Sequence, residues 1–128
     1  MSDFDVEIVS FGYLHGEPPA AHLTIDLREH FRDPHVSPEL RYMTAHDAPV
    51  RVAVMNTPGI PELVTATARA VSAFRCGPTA GPVVVADGCA GGRHRAPTFA
   101  DHLAAYLRAT GLTVQVQHRD LGKPVVER

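Results

Sequence analysis

The chain has 128 residues, 45% of them hydrophobic and 20% charged, and no apolar run near the length of a membrane span, which implies one globular domain over residues 1–128 and excludes a membrane-spanning one. Lys and Arg number 12 against 14 Asp and Glu, for a net charge of −2, which argues against a broad nucleic-acid footprint. Two cysteines, Cys76 and Cys89, give no disulfide framework, and with the acidic, unsignal-like start Met1, Ser2, Asp3, Phe4, Asp5 they imply a cytoplasmic location.

The first strand is expected over residues 6–11, VEIVSF. Gly12, Gly16, Pro18 and Pro19 make the next stretch a loop. A second strand, residues 23–27, alternates apolar and polar residues and ends in Asp26 and Arg28, a carboxylate and a guanidinium near a strand terminus. These are either a surface ion pair of small worth or two groups facing a ligand crevice. Residues 29–49 are broken by Pro34, Pro38 and Pro49 and hold His30, His35 and His46. A short helix is expected within residues 49–57. A longer one covers 60–75, with Ile60, Leu63, Val64, Thr67, Val71 and Phe74 on one face and Gly77-Pro78 as its stop. Cys76 reads as a small buried apolar residue.

Residues 83–86, VVVA, read as a central buried strand. Gly88, Cys89, Ala90, Gly91, Gly92, Arg93, His94 and Arg95 then form a glycine-rich loop leading into a helix with Pro97 in its first turn and Gly111 as its stop. Residues 112–117 alternate as an edge strand ending in His118, Arg119 and Asp120, and residues 121–128 carry no strong pattern. The order β, β, α, β, α, β implies an α/β layered domain with a mostly parallel sheet flanked by helices. Three polar clusters then fall at strand carboxyl ends, where open α/β sheets bind ligands. None of the eight histidines stands in HxH or HExxH spacing and no CxxC occurs, so no metal and no cofactor are expected.

A strand, a glycine loop and a helix start converge free amides and a helix dipole on one point, which is an anion site. Arg93, His94 and Arg95 add donors suited to phosphate or carboxylate. Two chemistries fit. Cys89 and Arg95 enclose five residues, the spacing of the loop in cysteine-dependent phosphatases, where the helix start and Arg93 and Arg95 would lower the Cys89 pKa. Gly88 and Ala96 stand where such enzymes usually carry histidine and a hydroxyl residue, and Asp26, Asp47 or Asp120 would have to supply the general acid.

The second rests on five ordered blocks: Ser10-Phe11-Gly12-Tyr13; Leu23 through Asp26 and Arg28; Asp33-Pro34-His35; Glu39-Leu40-Arg41 with Thr44 and Asp47; and Gly88 through Arg95 followed by His118-Arg119-Asp120-Leu121. This series resembles the C-terminal domain of the RNase adapter protein RapZ family over nearly the whole chain. In that family a nucleotide-binding domain with a Walker A motif precedes the domain. No GxxxxGK[ST] occurs here, so ATP binding is not implied. The resemblance implies a non-catalytic domain that senses an amino-sugar phosphate, glucosamine 6-phosphate, contributes to binding a regulatory RNA or a regulatory protein, and self-associates. It nominates Asp26, Arg28, His35, Gly91, Gly92, His94 and Arg95 as the ligand site, with His118 and Arg119 nearby, and Ala90 and Arg93 of the same loop are expected to join them. Ala90 and Ala96 depart from the family's usual threonine and serine, each a lost hydroxyl worth about 0.5–1.5 kcal/mol of hydrogen bonding.

Overall fold

In the computed structural model, which describes residues 3–128, the apolar alternation and the helical periodicity resolve into β1 (Val6–Gly12), β2 (Leu23–Asp26), α1 (Ala48–Met55), α2 (Ile60–Arg75), β3 (Val83–Cys89), α3 (Arg95–Ala109) and β4 (Val114–His118). Met1 and Ser2, the start of the acidic N-terminal stretch, lie outside the described residues. The strands form a four-stranded sheet in the order β2-β3-β1-β4. Every pairing is parallel. This is the expected α/β layered architecture, with the 83–86 run on a central strand and the 112–117 segment at an edge.

Register decides which residues share a face. Val6 pairs with Val83 and Val114, and Ile8 with Val85 and Val116. These residues face the core, where Phe99, Leu103 and Leu107 of α3 are fully or almost fully buried with Ile60, Val64 and Val71 of α2. Full burial of side chains this size favours folding by about 1.5–3 kcal/mol each. The crossovers from β2 to β3 and from β3 to β4 run the same way along the sheet, so the right-handed rule puts their helices on one face. The β1–β2 connection runs the other way. Tyr13, at its start, packs its ring 4.7 Å from that of Phe11.

Several boundaries differ from the expectation, for physical reasons. β3 continues through Asp87, Gly88 and Cys89 because β1 pairs with it as far as Gly12↔Cys89, a long-range contact that the local composition does not reveal. Cys76 is exposed, not buried, because α2 ends at Arg75 and Cys76 caps it beyond the packed face. Phe74, in the last turn of the same helix, is 46% exposed.

Two glycines fix how closely the loop approaches the sheet. Gly92 has φ +74°, a left-handed conformation that costs a residue with a Cβ about 1–2 kcal/mol. A Cβ on Gly12 would lie 2.5 Å from the Gly91 carbonyl carbon, so the strand end and the loop meet backbone to backbone. Gly12→Ala should therefore lower stability by about 1–3 kcal/mol. Gly122→Ala, where nothing lies within 4 Å of the added methyl, should stay within about 0.5 kcal/mol of the parent. Urea denaturation of both variants checks this, and equal midpoints would contradict the contact.

Candidate functional site

All four strands end at the same edge of the sheet, as the pairings Gly12↔Cys89, Asp26↔Gly88 and Ser10↔His118 require. Residues 90–94 cross this edge and lead into α3. His94, the residue before α3, gives no side-chain cap, the Cys89 sulfur takes the Ala96 amide at 3.4 Å, and no acidic residue sits in the first turn. Among the described residues no hydrogen-bond acceptor takes the Gly91 and Arg93 amides. A helix start preceded by free loop amides at a strand carboxyl edge carries a positive local potential.

The loop's basic side chains hold its neighbours in place. Arg95, 2% exposed, donates from Nη1 to the carbonyls of Leu27 at 2.9 Å, Arg28 at 3.1 Å and Phe31 at 3.3 Å. Its Nη2 lies 3.1 Å from the Asp33 carboxylate. Arg93 donates to the Lys123 carbonyl at 2.9 Å and to that of Tyr42 at 3.0 Å. His94 meets the Met43 carbonyl through Nε2 at 2.8 Å. A carbonyl only accepts, so Nε2 carries the proton. Burial lowers the His94 pKa, which favours the neutral ring. Three surrounding segments are thus drawn around the loop by its own cations.

The sequence-nominated residues divide into groups. Asp26 and Arg28 lie at the end of β2, beside the loop. Arg28 grips the carboxylate through Nε at 3.0 Å and Nη2 at 2.7 Å and stacks 3.6 Å over the Tyr13 ring. Both side chains are roughly half exposed. The arginine's hydrogen bonds hold the Asp26 pKa below its usual value. His35 sits on a 3-10 turn, Pro34–Val36, whose backbone is capped by Asp33 at 3.0 Å. Burial and then the Arg128 charge lower its pKa. Ala90 and Gly91 are partly exposed on the loop.

His118 points elsewhere, while Arg119 stays beside the end of β1 that packs against the loop. His118 Nδ1 lies 2.7 Å from Ser10 Oγ, and its Nε2 3.0 Å from Asp101 of α3, on the helix-covered face. Arg119 reaches the Glu17 carbonyl at 2.6 Å and the Asp120 carboxylate, back toward the end of β1. Among the described residues no group of three or more His, Cys, Asp or Glu could hold a metal ion, and no helix is long and apolar enough to cross a membrane.

Cys89 corrects an expectation. Its sulfur is buried and accepts from the Ala96 amide at 3.4 Å. Burial raises the thiol pKa and outweighs the opposing pull of that amide and of Arg95, so the helix start does not deliver a thiolate. Two carboxyl groups were not legible as a pair. Asp120, fully buried, accepts from the Gly12 amide at 2.8 Å and from Arg119 at 3.0 Å, with the Lys123 ammonium 2.7 Å away. Its pKa falls to about 2, its hydrogen bonds and ion pairs overcoming desolvation. Asp87 is also fully buried, and neither of its oxygens has a hydrogen-bond partner among the described residues. Burial, with the nearby Asp101 charge, holds its pKa well above the usual carboxylate range. Its one signal in the sequence was an acidic residue directly after an apolar strand run.

The RapZ C-terminal domain model matches residues 4–122. A nucleotide-binding protein of Thermobifida fusca is 40% identical over 119 residues, covering 91% of this chain and 40% of that protein. One from Streptomyces coelicolor is 37% identical over 119 residues, with 91% and 40% covered. One from Salinispora tropica is 40% identical over 121 residues, with 92% and 40% covered. The chain spans about two fifths of the length of these relatives.

The two buried carboxyl groups pull stability in opposite directions with pH. Asp87 has a native pKa above the unfolded value of about 3.9, so its stabilisation is full below that pH and is lost as pH rises through the native value. Asp120 has a native pKa of about 2, so its contribution is full above the unfolded value and is lost as pH falls toward 2. Asp87→Asn should flatten the decline above pH ~4, while Asp120→Asn should cost stability at neutral pH and flatten the acid limb. Denaturant midpoints across the pH range check this. An unchanged slope in Asp87→Asn would contradict the buried carboxyl.

Proposed function

The chain belongs to the RapZ C-terminal domain family, and from that premise we propose that it is a non-catalytic regulatory domain. Its ligand is a phosphorylated small metabolite, an amino-sugar phosphate such as glucosamine 6-phosphate, bound at the loop between β3 and α3. The observation that carries this reading is the pair of loop amides without an acceptor among the described residues, Gly91 and Arg93, just before the α3 N-terminus at the carboxyl edge of a parallel sheet. The loop is held in place by Arg93, His94 and Arg95, whose side chains are engaged with surrounding carbonyls. Phosphate oxygens fit the free amides, and the half-exposed Asp26–Arg28 pair beside them offers both charge signs to the sugar's polar groups. Charge-assisted bonds of this kind contribute about 1.5–3 kcal/mol each. The family resemblance also brings an RNA or regulatory-protein partner, self-association and a cytoplasmic setting into this reading. The acidic balance of the chain puts the small anion first among the partners.

The cysteine-phosphatase reading asks for a thiolate and a proton donor. Burial keeps Cys89 as a thiol. Asp26 and Asp120, two of the carboxylates that could donate, have lowered pKa values and are ionised near neutral pH. Calorimetry with glucosamine 6-phosphate, glucosamine and inorganic phosphate tests the proposal. Both phosphorylated probes should bind and glucosamine should not. Cys89→Ser should leave the affinity nearly unchanged, and no phosphate should be released. Turnover that vanishes in Cys89→Ser would replace this reading with the phosphatase one.

A further inference from the structure

The last residues of the chain, without sequence pattern of their own, return to the loop. Arg128 Nη1 lies 2.6 Å from Asp33 Oδ2, an ion pair across 95 positions of sequence. The same Asp33 Oδ2 lies 3.1 Å from Arg95 Nη2. Two guanidinium groups thus share one carboxylate oxygen. The two nitrogens of the Arg128 fork differ. Nη1 is taken by Asp33, while Nη2 lies 3.9 Å from where a Cβ on Gly91 would stand and has no partner among the described residues. Arg95 cannot serve in the same way, because its side chain is buried and its terminal nitrogens are engaged.

We propose that Arg128 is a ligand-binding residue of the anion site, a strap whose free Nη2 closes over the Gly91 side of the loop and completes the coordination of a phosphate held by the loop amides. The proposal rests on the anion-site reading above and adds to it a residue outside the glycine loop. Asp33 holds the guanidinium at the rim before the anion arrives, so little side-chain freedom is lost on binding. His35 lies in the same field, its pKa lowered after burial by the Arg128 charge, which places the guanidinium near a second nominated residue.

The test uses inorganic phosphate and glucosamine 6-phosphate on the full chain, with calorimetry at several salt concentrations. Arg128→Gln should weaken both probes about tenfold or more, the scale of one lost charge-assisted bond, and make the affinity less sensitive to salt. Arg128→Lys should recover part of the affinity and the salt sensitivity, because charge returns without the fork. Melting temperatures identify any variant that has lost its fold. Unchanged affinity in a folded Arg128→Gln, with the parent binding normally, overturns the strap and leaves the anion site standing. Absence of binding by the parent overturns both. Tighter binding by Arg128→Gln also overturns the strap, since the guanidinium would then be competing with the ligand.

Discussion

Gly12 and Gly92 pack so closely that a Cβ on either would fall within 2.8 Å of the other segment's backbone. The buried Asp120 locks this contact, accepting the Gly12 amide that β1 leaves over at its end. The loop after β3 therefore cannot lift away from the sheet, and α3 begins where the strands end. Each feature of the candidate site follows: the direction of the helix dipole, the exposure of Ala90 and Gly91, and the approach of the Asp26–Arg28 pair from β2. The cost is a buried carboxylate, offset by two hydrogen-bond donors and the Lys123 ammonium.

Charge at this edge does two jobs. Arg93 and Arg95 look like ligand donors in the sequence, yet their guanidinium groups grip the carbonyls of residues 27, 28, 31, 42 and 123. They bring an irregular segment of some twenty residues against the loop, where composition offers little apolar surface to do so. Their positive charge still adds to the potential over the helix start, because Coulomb attraction does not require contact. The groups free to meet a ligand directly are backbone amides and the rim, Arg28 and Arg128 among it.

Local signals carried most of the fold. The VVVA run, the glycines and Pro97 placed the β3–α3 junction, and the spacing of Phe99, Leu103 and Leu107 placed the buried face of α3. The misses share one cause, which is contact between distant residues. β3 is longer than its apolar run because β1 pairs with it. Cys76 is exposed because the packed face of α2 ends at Val71. The engagement of Arg95 and the return of Arg128 to Asp33 depend on segments more than sixty positions apart. The Cys89 pKa goes up because burial outweighs the helix start, and burial is a property of the whole fold. The seven-residue spacing to Ala96 gave no sign that its amide turns toward the sulfur.

A concavity lined by Asp5, Phe74, Arg75 and Pro82 lies at the opposite end of the sheet from the loop, so the account makes a spatial claim that can be read residue by residue. The direct measurement is an amide nuclear magnetic resonance titration of the full chain with inorganic phosphate. The account predicts saturable shifts at the amides of Gly91, Gly92 and Arg93 and at the start of α3, with the Phe74–Pro82 end silent. Shifts centred on Phe74, Arg75 and Pro82, or none at the loop, would contradict it.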